Sequence, residues 1–182
     1  MLPSTVPKNV FKMSDYDKRS IEPITEKLPL ELTDVDTPAK NNAFRYLARR
    51  EYSRLELYQR LITKGYVSDM VNHLLDYLAE KNYQSDERYT DMYIRHRAGA
   101  GDGPFKIKIA LRAKGIFDSL SNMVFEQLAI DWLERAQLVK VKRFGDGPAV
   151  DVVELSRQIR FLKNRGFYQE HIDGALNYSR PY

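Results

Sequence analysis

"SRLELYQRLITKGY", residues 53–66, decides how this chain folds. Ser53 followed three residues later by Glu56 is a capping-box pattern that opens a helix, and Leu57, Tyr58, Leu61 and Ile62 then recur on one helical face. Gly65 ends that helix, because glycine enters the left-handed conformation of a C-cap at no steric cost. Tyr66 behind it supplies the apolar contact that such a cap tends to carry.

The arrangement returns twice. Ile107 and Leu111 precede Gly115 by the same eight and four residues that separate Leu57 and Leu61 from Gly65, and Leu162 again stands four residues before Gly166. The three glycines are 50 and 51 residues apart, with Ile116 and Phe167 in the place of Tyr66. A fixed period of this length predicts an internal repeat.

Each copy carries a helix before and a helix after this core motif. In the first, Phe44, Leu47 and Ala48 mark the leading helix, while Ser68 or Asp69 is placed to cap a trailing helix bearing Val71, Leu74, Leu75 and Leu78. In the second, Tyr89, Met92, Tyr93 and His96 lead, Gly103-Pro104 opens the middle helix, and Val124, Phe125 and Leu128 repeat the offsets of Leu74, Leu75 and Leu78. The third runs from Ile130 through Trp132, Leu133 and Ala136, then Leu155, Ile159 and Leu162, to Ile172, Ala175 and Leu176. The expected fold is therefore all-α: three tandem three-helix, helix-turn-helix-like repeats over residues 43–86, 87–129 and 130–182. Residues 1–42 hold five of the eight prolines among Ser, Thr, Asp and Lys without an apolar period, and read as an extended or disordered arm.

Composition narrows the function. The 182 residues contain no cysteine, which removes disulfides and thiolate metal sites and fits a reducing, cytoplasmic location. The first residues lack a basic region leading into an apolar run, and no stretch approaches the roughly 18 apolar residues of a membrane span. The expectation is a soluble, unexported chain without a membrane partner, and a monomer.

A formal net charge of +4 is too small to imply a polyanionic partner, but its distribution follows the repeat. Lys and Arg outnumber Asp and Glu six to two over residues 43–65, six to one over 93–115 and eight to three over 135–165, whereas 66–92 and 116–134 are acidic. Successive modules either pair these surfaces with one another or present a repeated basic stripe to an acidic partner or nucleic acid. Candidate contact residues are Arg49, Arg50 and Arg54; Arg95, Arg97, Lys106, Lys108, Arg112 and Lys114; and Lys142, Arg143, Arg157, Arg160, Lys163 and Arg165. The basic residue before each glycine belongs to that stripe and the residue after it to the fold, with Gly65, Gly115 and Gly166 as structural turns.

Catalytic patterns are missing from the sequence. His73, His96 and His171 lie on different expected helices without a partner at metal-binding spacing. "GAGDGPFK", residues 99–106, lacks the Gly-Lys-Ser/Thr ending of a phosphate loop and follows no apolar strand, and its Gly-Asp-Gly-Pro recurs at 145–148, so both read as turns. No nucleophile stands at a suggestive spacing from a base. Neither catalytic residue, metal nor cofactor is expected.

"YLARREYSRLELYQRLITKGY", "YIRHRAGAGDGPFKIKIALRAKGI", "KVKRFGDGP" and "RQIRFLKNRGFYQEHI", in this order over about residues 43–178, resemble RecX, the bacterial recombination regulator that binds the RecA recombinase. The resemblance implies a curved, elongated array of the three repeats and a non-enzymatic function: lodging in the groove of the RecA nucleoprotein filament on DNA and limiting its growth, ATPase, strand exchange and coprotease activity. The proline-containing arm departs from the family's shorter beginnings. The residues themselves leave a second reading open, a direct binder of single- or double-stranded DNA, which predicts steep salt dependence on naked DNA.

Overall fold

The computed structural model describes residues 38–177; residues 1–37, and most of the expected arm with them, lie outside this range, as do residues 178–182. Among the described residues there are nine α-helices and no strands: α1 (Pro38–Leu47), α2 (Arg54–Thr63), α3 (Ser68–Glu80), α4 (Asp86–Gly99), α5 (Pro104–Ala113), α6 (Asp118–Leu128), α7 (Trp132–Phe144), α8 (Val152–Arg165) and α9 (Gln169–Ala175). The first helix starts ahead of Ala43, with Pro38 at its N-terminus, where a missing N–H leaves no helical bond unmade.

Each triplet encloses its own core. Leu57 and Leu61 of α2 meet Val71, Leu74, Leu75 and Leu78 of α3; Ile107 and Leu111 of α5 meet Tyr89, Ile94 and Val124; Leu162 of α8 meets Ala136, Phe167 and Ile172. A fully buried leucine is worth about 1.5–3 kcal/mol, so a few such residues hold each short helix that could not persist alone. Trp132 packs against both the second and the third core and joins them, its ring centroid 5.7 Å from that of Phe125.

All three middle helices end in the same hydrogen-bonded motif. Tyr66 N donates to Leu61 O, Ile116 N to Leu111 O and Phe167 N to Leu162 O, while Gly65, Gly115 and Gly166 donate to Ile62, Arg112 and Lys163. These are the paired bonds of a Schellman cap, and the glycines have φ of 89°, 79° and 88°. The leucine four residues before each glycine thus serves the core with its side chain and the cap with its carbonyl. The Gly-Asp-Gly-Pro stretch is also a turn: Gly101, at φ 86°, ends α4, and Pro104 begins α5.

Other local expectations need correction. Ser53 caps α2 by accepting from Glu56 N at 3.1 Å, but the Glu56 side chain does not return to complete the box, because two cations claim it. Neither Ser68 nor Asp69 caps α3; Val67 occupies the cap position without a side-chain bond. Leu133 is 40% exposed and His96 lies on the exposed face of α4, so neither is core. Lys140 of the third basic run turns inward and donates to the carbonyls of Asp146 and Gly147 at 3.1 and 2.6 Å, fastening the loop between α7 and α8.

Candidate partner-binding surface

The modules join through the glycine turns. A Cβ on Gly115 would come within 2.9 Å of the Leu55 Cβ in the first turn of α2, and one on Gly166 within 2.6 Å of the Lys106 amide nitrogen in the first turn of α5. Gly65, with no preceding module described, faces open space. The middle helix of each later module therefore ends on the start of the middle helix before it.

Polar bonds follow the same geometry. Gly103 N donates to Arg165 O at 2.7 Å and Phe105 N to Gly166 O at 3.0 Å, so the last carbonyl of α8 and that of its cap glycine satisfy amides at the start of α5 that no turn of their own helix can reach. At the first junction Arg54 N donates to Asp86 Oδ1 at 2.8 Å, and the buried Gln84 donates to Tyr52 O at 3.2 Å.

The candidate cations divide accordingly. Lys114 bridges to Glu56 at 2.8 Å, and Arg50 reaches the same carboxylate at 3.1 Å while its guanidinium stacks 3.7 Å from the Tyr52 ring centroid. Burial opposes ionisation of Glu56, yet these two hydrogen bonds outweigh it and hold the carboxyl below its ordinary pKa. Asp102, buried, pairs with Arg97 and, at 2.9 Å, with Lys106, clamping α4 to α5. Arg165 donates to Ala100 O across the second junction at 3.3 Å and stacks on Phe161.

Arg54 pairs with Asp76, Arg95 with Asp91, Arg112 with Asp118 through a two-bonded fork, and Arg157 with Glu154 at 3.7 Å. Hydrogen bonds from Arg112 lower the Asp118 pKa. Among the described residues no carboxylate pairs with Arg49, Lys108, Lys142, Arg143, Arg160 or Lys163; Lys108 lies 5.2 Å from the centroid of the Phe125 ring.

The fifteen positions therefore do not make one uniform stripe. Part of the charge stitches module to module or helix to helix, and part has no carboxylate partner among the described residues. Two residues that pattern reading passed over matter here: Asp102, whose role as a buried anchor depends on burial, and Arg135, which shares the helical face of Val139 and Lys142. The spacing 135, 138, 139, 142 was legible; that the end of α4 and Phe161 of α8 stand opposite this face and make it one wall of a cleft was not.

No group of three or more His, Asp or Glu side chains among the described residues could hold a metal ion. Burial lowers the pKa of His171, which lies against Phe167 and Tyr168. No described helix is long and apolar enough to cross a membrane.

Family models for the first and second three-helix domains of RecX match residues 39–78 and 85–121. Regulatory protein RecX of Chromohalobacter salexigens is 40% identical over 144 residues, covering 79% of this chain and 93% of that protein; its counterpart in Acidithiobacillus ferrooxidans is 41% identical over 138 residues, covering 76% and 88%. The chain belongs to the RecX family. The crystal structure of RecX from Lactobacillus salivarius shares the fold, with a TM-score of 0.66 at 21% identity over 76% of this chain and 92% of that one. A second RecX crystal structure gives 0.63 at 20% identity, covering 74% and 70%. Both RecX domain models fall within the first two helical triplets, and the high coverage of the relatives makes this chain a regulatory protein of that family over nearly their whole length.

Proposed function

We propose that this chain regulates RecA, mainly as an inhibitor, by seating its modules in the groove of the RecA–DNA filament and limiting filament growth, ATPase, strand exchange and coprotease activity. Membership of the RecX family supports the regulatory role. The observation that carries the mechanism is the repeated junction, Gly115 on Leu55 and Gly166 on Lys106, which sets successive modules by one kind of contact. A row of neighbour-coupled units suits a partner that is itself a row of identical subunits. Contacts spanning several subunits favour one filament geometry by differential affinity, so inhibition needs no enzyme chemistry and no cofactor.

The module divisions near residues 42, 86 and 129, a monomeric state and a cytoplasmic site of action belong to this proposal. Its contact residues are first the cations without carboxylate partners, Arg49, Lys108, Lys142, Arg143, Arg160 and Lys163; paired ones such as Arg95 and Arg112 join after exchanging partners. The test is RecA ATP hydrolysis on single-stranded DNA during titration with this protein far below the RecA concentration, with naked-DNA binding measured in the same buffer. Substoichiometric loss of activity without comparable DNA affinity is expected. Undiminished hydrolysis with tight, salt-sensitive DNA binding would instead make the chain a direct DNA binder.

A further inference from the structure

The end of α4 and one face of α7 and α8 enclose a cleft of about 650 Å³ at the second junction. Its volume lies in the about 300–1,000 Å³ range of ligand clefts. Four cations line it: Arg135, Lys142 and Arg143 from α7 and Arg165 from the end of α8. No carboxylate lines it, and none pairs with any of the four among the described residues. The remaining lining is apolar side chain, Leu138, Val139 and Phe161, and the small residues of the α4 terminus.

Local structure explains this combination. Arg135 and Lys142 each stand three and four residues from the adjacent pair Leu138 and Val139, the steps that align side chains on a helix, so cations flank an apolar centre along one stripe. The opposite wall would bring the negative end of the α4 dipole, but Arg165 already covers Ala100 O. The cleft therefore stays electropositive while keeping an apolar floor.

We propose that this cleft binds a single strand of nucleic acid, with phosphates on the Arg135, Lys142 and Arg143 rim and a base against the Leu138, Val139 and Phe161 floor. The pairing of charge with exposed apolar surface selects this occupant. Phosphates alone would satisfy the cations but leave the floor wet; an unpaired strand brings both backbone charge and a free base face, whereas a duplex keeps its base faces stacked inside. Because the walls come from two modules, an occupied cleft also braces the second junction. The inference deepens the RecA reading by naming what the third module touches, but rests on the cleft alone, so RecA is absent from its test.

The experiment is fluorescence anisotropy of a labelled oligothymidylate of about 15 nucleotides, and of a duplex of equal length, titrated with the full chain between about 50 and about 200 mM salt. Tighter binding of the single strand is expected. In the double variant R135Q/K142Q, log affinity should depend less steeply on log salt by about 1.4, at about 0.7 per lost cation, and affinity at low salt should fall about tenfold. Arg45→Gln with Lys81→Gln removes equal charge from exposed positions outside the cleft and should leave single-strand binding near wild type. Circular dichroism melting checks that both variants stay folded. Equal losses in the two variants, tighter duplex binding or no binding at all would overturn the assignment, and so would displacement of the oligonucleotide by a polyglutamate peptide at equal charge concentration, which would give the cleft to an acidic protein segment. Loss of RecA inhibition with intact strand binding would leave this inference standing and remove only the filament reading.

Discussion

The Lys114 ammonium lies 2.8 Å from the Glu56 carboxylate although the two residues are 58 positions apart in the chain. Lys114 immediately precedes the cap glycine of the second module, and Glu56 sits in the first turn of the middle helix of the first. The basic residue ahead of that glycine thus holds the modules together, where charge pattern alone assigned it to the partner-facing stripe. Lys114→Met is expected to lower unfolding free energy by about 1 kcal/mol, the upper range for a partly exposed pair, as read from urea denaturation. An unchanged midpoint would mean that Arg50 alone satisfies Glu56.

Glycine substitutions separate cap from junction. At Gly65 an added methyl group meets nothing, so Gly65→Ala should cost only the left-handed backbone penalty, about 1–2 kcal/mol. At Gly166 the same change adds overlap with Lys106, and overpacking brings the cost to about 3 kcal/mol or more. Calorimetric melting of both variants checks the order; equal losses would deny the junction its tight approach.

Acid should loosen the first junction. The folded-state pKa of Glu56 is depressed, so the stability it contributes is complete above its unfolded value of about 4.5 and is lost as pH falls through the lower folded value. Glu56→Gln should be less stable than wild type at neutral pH, and the difference should shrink as the pH drops below about 4. Urea midpoints measured across that window provide the comparison, and a constant difference would contradict the assigned cause.

Asp102 offers a third contrast. Its buried carboxylate receives both Arg97 and Lys106, so Asp102→Asn leaves two cations facing a neutral group and should cost about 2 kcal/mol. The loss should appear in the melting temperature of the whole chain, since the clamp lies beside the second junction. A change of melting temperature within error would show that both cations find water instead.

Three-helix repetition was legible in residues 53–66 because the leucine, glycine and aromatic positions of a capped amphipathic helix are local requirements. Leu61, Leu111 and Leu162 must be four residues before a left-handed turn if one side chain is to fill the core while its carbonyl closes the cap. The same holds for the basic character of the middle helices, which is a property of composition. Which cations remain free was not legible. Lys114 meets Glu56, Lys140 turns into its own loop and Arg165 reaches Ala100 only once the modules are stacked, whereas Lys142 and Arg143 meet no carboxylate among the described residues. Sequence alone determined the helical unit and its threefold return, since hydrogen bonding and helical period act over a few residues. Only the tertiary structure decided the surface, because ion pairing depends on distances of a few ångströms between residues that the chain holds far apart.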